Sequence, residues 1–214
     1  MQFDMPALAP TQRYELLLGT VLPRPVALVT TLNADGGINS APYSLFNVMG
    51  HDPAIVMLAV LPHVEGRLKD SAANILARRE FTVGMVSQDL AAAMNVACID
   101  APPGVDELAL AGLATMPSVK VAPPRVAQCK VSFECVFRTS LSFGPHQLVV
   151  AAEVVQAFVD DGHVIDAGQA SVDAARLEMI GAMHGARWYA RTTDLFAMDR
   201  PSWAQWREQG KVKP

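Results

Sequence analysis

The polar stretch Asn39–Ser44 stands where an apolar strand would be expected to continue. It reads Asn-Ser-Ala-Pro-Tyr-Ser, and so combines an amide, three hydroxyl groups and a proline. A buried strand gains nothing from such groups, because buried polar atoms need hydrogen-bond partners. A ligand with many hydrogen-bonding edges would supply those partners. The alternative is a plain polar turn shaped by Pro42, and the residue pattern alone favours neither interpretation.

The elements around this stretch predict a β-hairpin that would position it. Val26–Leu32 is rich in β-branched and apolar residues, and residues 33–37 (Asn-Ala-Asp-Gly-Gly) tolerate positive φ. Ile38 then resumes the strand pattern. Thr30 and Thr31 lie near the end of the first predicted strand, where they are either ordinary β-formers or residues that face a ligand beside the hairpin.

The composition indicates a folded chain with small-molecule chemistry rather than a nucleic-acid partner. The 214 residues suit one domain, which we predict to span residues 1–214, with 199–214 as an extended tail. A net charge of −4 without a run of Lys and Arg argues against nucleic acid. Half of the residues are hydrophobic and 18% are charged, which excludes disorder and suggests an apolar surface buried between subunits.

The sequence also predicts a cytoplasmic protein that does not enter the membrane. The N-terminal residues have no basic segment followed by an apolar core, and the longest apolar runs are the length of a strand. The three cysteines, Cys98, Cys129 and Cys135, have neither the spacing of a zinc site nor that of a disulfide framework. His51 and His63 have no partner spacing for a metal either, so we predict no metal site.

The periodicity elsewhere predicts more strands than helices. Strands are predicted over Ala54–Val60, Glu80–Ser87, Val131–Arg138 and Gln147–Val159, and helices over Lys69–Arg78, Gln88–Ala97 and Asp173–Met183. Asp70 is the expected N-cap of the helix that ends at Arg78. Strands joined as hairpins favour a closed antiparallel barrel. No glycine-rich nucleotide loop, nucleophile elbow or zinc-protease motif occurs.

The residues collected so far resemble the flavin reductase-like, FMN-binding split-barrel family over nearly the whole chain. The motifs that carry the resemblance are RPVALVTT (Arg24–Thr31), NSAPYSLFN (Asn39–Asn47), KDSAANI (Lys69–Ile75), PHQLVVAAEVV (Pro145–Val155) and RWYART (Arg187–Thr192). Members often have Thr after Lys-Asp, whereas this chain has Ser71, which keeps the hydroxyl group. The resemblance implies a mainly β fold with helices, an antiparallel Greek-key split β-barrel, and a homodimer with FMN near the subunit interface.

The resemblance also implies which residues contact FMN. The ring edge and the ribityl chain would meet short side chains and backbone amides, and the closing motif would place an aromatic ring and a cation at the cofactor. The residues implied are Thr30, Thr31, Asn39, Ser40, Ala41, Pro42, Tyr43, Ser44, Asn47, Tyr189 and Arg191. For Trp188, a contact in the core or in a dimer interface is the preferred interpretation.

The start of the predicted helix at Lys69 suits the FMN phosphate. A helix N-terminus offers unpaired N–H groups, Lys69 adds a positive charge, and Ser71 donates from its hydroxyl. Asp70 belongs to the same motif, and Asn74 lies one turn further on as a phosphate or ribityl contact. The alternative is a plain capped surface helix with Asn74 in solvent.

His146 and His184 are the predicted contacts of the nicotinamide nucleotide. In the family a histidine at the position of His146 lies near the flavin face, although a lone histidine at a turn is commonly solvated. His184 belongs to the closing motif. Hydride transfer to a flavin needs no protein acid or base, so we predict no catalytic acid, base or nucleophile.

The function implied is an NAD(P)H-dependent oxidoreductase that passes hydride through non-covalently bound FMN to free flavin or another acceptor. A partner monooxygenase would be one user of the reduced flavin. Two alternatives stay open: a flavoredoxin-like electron-transfer protein that is reduced by a protein partner, and a barrel that binds flavin without turnover. The choice between NADH and NADPH has no signature in the sequence.

Overall fold

A computed structural model describes residues 1–62, 67–102, 104–143, 147–185 and 187–208 of the protein. The predicted turn at Gly144-Pro145 and the predicted site residue His146 lie outside the described residues. None of the described helices combines the length and the apolar character that a membrane crossing requires.

Most of the regular structure in the described chain is β, with short helices between the strands. The strands are β1 (Arg24–Pro25), β2 (Ala27–Leu32), β3 (Ile38–Tyr43), β4 (Phe46–His51), β5 (Ala54–Val60), β6 (Glu80–Met85), β7 (Thr115–Met116), β8 (Arg125–Val126), β9 (Val131–Phe143), β10 (Gln147–Val159), β11 (Val164–Asp166), β12 (Ser171–Val172), β13 (Ile180–Ala182) and β14 (Tyr189–Arg191). The α-helices are α1 (Pro10–Thr20), α2 (Asp70–Arg78), α3 (Ala91–Val96), α4 (Glu107–Leu110) and α5 (Trp203–Glu208). The mainly β prediction with helices is confirmed.

The central sheet has seven strands in the order β3-β2-β6-β9-β10-β5-β4, and every neighbouring pair is antiparallel. In the part of the chain that the structure describes, β3 and β4 each pair on one side only, so the predicted closed barrel is wrong. The outer side of β3 is unsuitable for another strand, because Pro42 has no N–H group and the Ser40 N–H donates to Glu107. The Greek-key connectivity stays a prediction.

The predicted helix over Asp173–Met183 is also wrong. Residues 174–177 form turns, and β13 follows, pairing with β1 on one side and β14 on the other. A Cβ on Gly181 would lie 2.6 Å from Cβ of Pro23, so only glycine allows β13 to approach the chain there. Strand pairing with distant residues therefore overrides the local helical pattern.

The predicted helix over Lys69–Arg78 is confirmed as α2, but its N-cap is not Asp70. Lys69 occupies the N-cap position without a side-chain capping bond, and Asp70 is the first helical residue. The Asp70 carboxylate instead lies 3.5 Å from the Arg67 guanidinium. The first N–H groups of α2 are therefore not capped by the Lys69 side chain.

The core lies on both faces of β2, which fixes β3 at the edge of the sheet between helices. Val29 packs with Ile75 of α2 on one face, and Leu28 packs with Met94 of α3 and Leu108 of α4 on the other. Both α2 and α4 contact β3. The polar residues of β3 consequently face the N-terminal ends of two helices.

Candidate functional site

The Asn39 side chain connects strands β2 and β3 to the start of α2. Its Nδ2 donates to Thr31 Oγ1 at 3.0 Å and to Ser71 Oγ at 2.9 Å. All three residues are buried. Because both amide hydrogens are used, the orientation of Asn39 is fixed, and Ser71 still has its own hydroxyl proton to donate.

Thr30 and Ser40 form a second buried polar pair across the same two strands. Their hydroxyl oxygens are 3.3 Å apart, and Ser40 Oγ donates to the Val29 carbonyl at 3.1 Å. The Ser40 backbone N–H donates to Glu107 Oε2 at 3.0 Å, which brings α4 onto the edge of β3. Thr30, Thr31 and Ser40 therefore support the wall of the site from behind and do not line the clefts described next.

Cleft A is the polar space between β3 and the start of α2, with a volume of about 250 Å³. Seven of the predicted site residues line it: Asn39, Ala41, Pro42, Tyr43, Lys69, Asp70 and Ser71. The opposite wall consists of Cys98, Ile99, Asp100, Ala101 and Glu107. The structure thus brings the two predicted motifs, one from β3 and one from α2, into one cleft.

Cleft B adjoins cleft A and has a volume of about 110 Å³. The two clefts share Pro42, Tyr43 and Cys98 as walls. The remaining lining of cleft B is Tyr14, Leu18, Arg24, Val26, Ser44, Met94, Ala182, Gly185, Trp188 and Tyr189. Predicted residues Ser44 and Tyr189 therefore lie at cleft B.

Tyr43 is one of the three residues shared by the two clefts, and its hydroxyl oxygen is one of three buried side-chain polar atoms without a hydrogen-bond partner among the described residues. The oxygen is buried, and no described residue meets the geometry of a hydrogen bond to it, although the Ser71 hydroxyl is close enough to affect its ionisation. Burial raises the pKa of Tyr43 to about 12; the nearby Ser71 hydroxyl lowers it, and the Glu107 and Asp70 carboxylates raise it. The phenol is thus a neutral group with an unused hydrogen-bonding capacity in the wall of the site.

Cleft C is an apolar space of about 290 Å³ on the far side of Arg24. Ser44 and the predicted residue Asn47 line it together with Phe46, Met49 and Met57. Asn47 Oδ1 accepts a hydrogen bond from the Val48 N–H at 2.8 Å. Asn47 therefore lies apart from the polar wall of cleft A.

Three other predicted residues also lie away from cleft A. Asn74 Nδ2 donates to Thr31 Oγ1 at 3.0 Å and to Asn33 Oδ1 at 2.9 Å, so its amide holds the hairpin turn and does not line the cleft. Arg191 is exposed on β14. His184 is exposed, and its ring stacks on Trp188 with centroids 6.1 Å apart.

Sequence reasoning missed four residues that the structure places in these walls: Arg24, Cys98, Glu107 and Trp188. Trp188 is 59% exposed, so its predicted core position is wrong, and a dimer contact stays a prediction. Burial raises the pKa of the Cys98 thiol, which Lys69 lowers to a smaller extent. Of the four, Arg24 and Trp188 lay in quoted motifs, and no local pattern distinguished Cys98 and Glu107.

Comparison with known protein families places the chain among flavin-handling proteins. The model of the family described as flavin reductase like domain matches residues 18–169. The chain belongs to the flavin reductase-like family. Membership of this family supports flavin binding and a function as a flavin-related oxidoreductase.

Solved structures agree with this assignment. The 2-nitrobenzoate 2-nitroreductase of Pseudomonas fluorescens is 32% identical, with a TM-score of 0.86 over 95% of this chain and 98% of that chain. Component B of the nitrilotriacetate monooxygenase of Bacillus cereus is 28% identical, with a TM-score of 0.86 over 92% of this chain and 98% of that chain. A Shewanella frigidimarina protein described as having a split barrel domain is 16% identical, with a TM-score of 0.79 over 94% and 100%, and shows the split-barrel fold alone.

The residues of cleft A fit the chemistry of FMN. The Ser71 hydroxyl, the Lys69 ammonium and the N–H groups of the first turn of α2 suit a phosphate, and the unpartnered Tyr43 hydroxyl suits a polar edge of the ligand. Asp70 and Glu107 carry negative charge in opposite walls of cleft A, but Asp70 lies near Arg67 and Glu107 accepts the Ser40 N–H. Both of these carboxylates therefore have partners of their own.

Proposed function

We propose that the protein is an FMN-dependent NAD(P)H:flavin oxidoreductase with FMN held non-covalently in cleft A. The observation that supports this most directly is the meeting of β3 and the start of α2 in one cleft through the Asn39–Ser71 hydrogen bond. Family membership supplies the choice of flavin over other phosphorylated ligands.

Each residue of cleft A has a binding role in this proposal. Lys69 and Ser71 hold the phosphate, Asn39 keeps Ser71 in place, and the Tyr43 hydroxyl meets a polar group of the ribityl chain or ring edge. FMN, when bound, accepts hydride from NADH or NADPH and passes the electrons to free flavin or another acceptor. The protein contributes binding and orientation, and no side chain needs to act as acid, base or nucleophile.

The physiological acceptor in this proposal is a partner monooxygenase that uses the reduced flavin. The support is the similarity to component B of a nitrilotriacetate monooxygenase, which is 28% identical and is covered over 98% of its length. Reduction by a protein partner, as in the flavoredoxin-like alternative, would leave the flavin unresponsive to nicotinamide nucleotides.

A homodimer and a cytoplasmic location are parts of the same proposal. The apolar lining of cleft C, together with Val48 and Met49, each 60% exposed on β4, supplies an apolar surface suited to a second copy of the chain. The single domain of 1–214, with His146 and His184 as nicotinamide contacts, also stays a prediction.

An anaerobic titration of the FMN-loaded protein with NADH, and then with NADPH, tests the reaction by the visible absorbance of the flavin. Rapid bleaching supports the reductase and identifies the donor from the faster of the two. A spectrum that bleaches only with dithionite contradicts direct reduction by NAD(P)H. If the protein retains no flavin at all, the proposed cofactor is wrong.

Paired substitutions test the phosphate site separately. The double variant Lys69→Ala, Ser71→Ala should no longer retain stoichiometric FMN. The control double variant Lys120→Ala, Ser142→Ala removes the same side-chain groups from exposed positions, and it should still retain stoichiometric FMN. Because Ser71 is buried and bonded to Asn39, the thermal midpoint of each variant is measured alongside. Stoichiometric flavin in the first double variant would overturn the assignment.

A further inference from the structure

Arg24 is a buried cation whose partners are all neutral. The residue is 6% exposed; Nη1 donates to the carbonyls of Leu18 at 2.6 Å and Val21 at 3.0 Å, and Nη2 donates to the Met183 carbonyl at 2.6 Å. No carboxylate of the described residues lies within ion-pairing distance of it. A buried charge without a counter-charge is costly, so the position calls for an anion.

The guanidinium group keeps donors for that anion. It has five N–H groups, of which the three carbonyl oxygens use three. Nε is buried without a partner among the described residues, and Nη2 has one such partner for its two hydrogens. Nε and Nη2 lie on the edge of the guanidinium group with which arginine commonly binds a carboxylate. Elsewhere in this chain, Arg138 donates from the same two nitrogens to the Glu153 carboxylate.

The walls of cleft B suit a planar ring. Arg24 lines it with the aromatic residues Tyr14, Tyr43, Trp188 and Tyr189. No Asp or Glu is among the described residues of its lining, so Arg24 supplies the only formal charge there. Aromatic side chains pack favourably on flat ring systems. Cleft B has a volume of about 110 Å³ and is partly open to solvent, so it holds part of a ring, whereas full enclosure of benzene takes about 150 Å³.

We propose that cleft B binds a planar aromatic carboxylate, with the carboxylate group on Arg24 and the ring among the aromatic side chains. This inference rests on the proposed function and deepens it, because cleft B shares Pro42, Tyr43 and Cys98 with the cleft assigned to FMN. A ligand in cleft B therefore lies directly beside the cofactor, where a substrate of the flavin must bind.

The test is calorimetric titration of the FMN-loaded protein with benzoate, with benzamide as the neutral probe of the same shape. Acetate tests the charge without the ring. We expect benzoate to bind about tenfold or more tightly than benzamide, because it adds a charge-assisted hydrogen bond at Arg24, and about tenfold or more tightly than acetate, because it adds the contacts of the ring. Equal affinities for benzoate and benzamide, or no benzoate binding at millimolar concentration, would overturn the proposal.

Variants locate the binding. Arg24→Gln should remove the preference for benzoate over benzamide, and Arg138→Gln, which changes an exposed arginine, should keep it. Arg24 also bonds to the carbonyls of Leu18 in α1 and Met183 after β13, so its substitution can disturb the fold. Trp188→Ala is therefore a second variant, at an exposed residue outside the core, and it should lower the affinity for benzoate several-fold. Unchanged benzoate binding in the Trp188 variant would place the ligand outside cleft B.

The flavin content of the same samples separates this inference from the proposed function. Retained FMN without a preference for benzoate would contradict the inference alone. Discrimination in favour of benzoate by a protein that retains no flavin would contradict the proposed cofactor alone.

Discussion

The Glu107 carboxylate accepts a 3.0 Å hydrogen bond from the Ser40 backbone N–H, across 67 positions of sequence. Ser40 lies on the edge strand β3, and Glu107 begins α4. The contact satisfies an N–H group that faces outward from the sheet, and it also places a negative charge in the wall of cleft A. One interaction thus stabilises the edge of the sheet and opposes the binding of an anion beside it.

Glu107→Gln should increase the affinity for FMN. The amide oxygen can still accept the Ser40 N–H, while the charge that repels the phosphate is lost. We expect the FMN dissociation constant to fall by about 3- to 10-fold in a fluorescence titration at low salt. Glu153→Gln, which removes a carboxylate paired with Arg138 elsewhere, should leave the constant unchanged. A weaker affinity in the Glu107 variant would show that its carboxylate assists binding.

Tyr43→Phe should separate stability from ligand binding. The substitution removes a buried hydroxyl that has no hydrogen-bond partner among the described residues, so the free energy of unfolding of the flavin-free protein should stay the same or rise by about 1 kcal/mol. Flavin affinity should fall by about 5- to 30-fold, because the bound ligand loses a hydrogen bond. Equal flavin affinity in the variant and the unaltered protein would show that the Tyr43 hydroxyl does not contact the flavin.

The same substitution should change the response to alkaline pH. Tyrosine in the unfolded chain ionises near pH 10, whereas burial raises the pKa of Tyr43 to about 12. The unfolded state therefore loses its proton first, and the native protein loses stability as the pH rises from 10 towards 12. Urea unfolding across that range should show a smaller loss for Tyr43→Phe than for the unaltered protein.

Cys98 should be the only readily alkylated thiol, and flavin should protect it. Cys98 lines both clefts, whereas Cys129 and Cys135 are buried, and burial raises the pKa of Cys129 to about 12 and that of Cys135 further. Because burial also raises the pKa of Cys98, the rate with iodoacetamide should keep increasing with pH above 9. Mass spectrometry should show one adduct, formed several-fold more slowly with FMN. An unchanged rate would mean that FMN binds elsewhere.

Gly84→Ala should destabilise the sheet through a single contact. A Cβ at this position would lie 2.5 Å from Sγ of Cys129. We expect the free energy of unfolding to fall by about 1–3 kcal/mol, with part of the loss recovered in the double variant with Cys129→Ala. Gly19→Ala serves as the control, since nothing lies within 4 Å of its Cβ, and it should be neutral or stabilising. If the double variant loses as much unfolding free energy as Gly84→Ala alone, the loss comes from a change in the backbone and not from the contact with Cys129.

Local pattern was sufficient to predict several elements of this fold. The alternation of apolar residues and the Asp-Gly-Gly turn predicted the hairpin that the structure shows as β2 and β3, and the long apolar runs predicted β5 and β10. The start of α2 was predicted to within one residue. Such features depend on neighbours in sequence, because strand alternation, turn geometry and helix periodicity are set within a few residues.

The predictions that proved wrong concern residues whose conformation is decided by distant contacts. The segment Asp173–Met183 has a helical composition, but β13 is held in place by β1 and β14. In the described part of the chain the sheet does not close, because Pro42 and the contact between Ser40 and Glu107 occupy the outer side of β3. Neither contact has a signature in the local sequence.

The sequence by itself determined that Asn39–Tyr43 and Lys69–Ser71 bring polar side chains next to predicted apolar segments, and that they resemble flavin-binding motifs. Only the tertiary structure decided that the two stretches share a cleft, that the Tyr43 hydroxyl has no hydrogen-bond partner among the described residues, and that the buried charge of Arg24 lies beside aromatic side chains. The physical reason is that burial and charge pairing depend on contacts between distant residues. The bond from Arg24 to Met183, for instance, spans 159 positions.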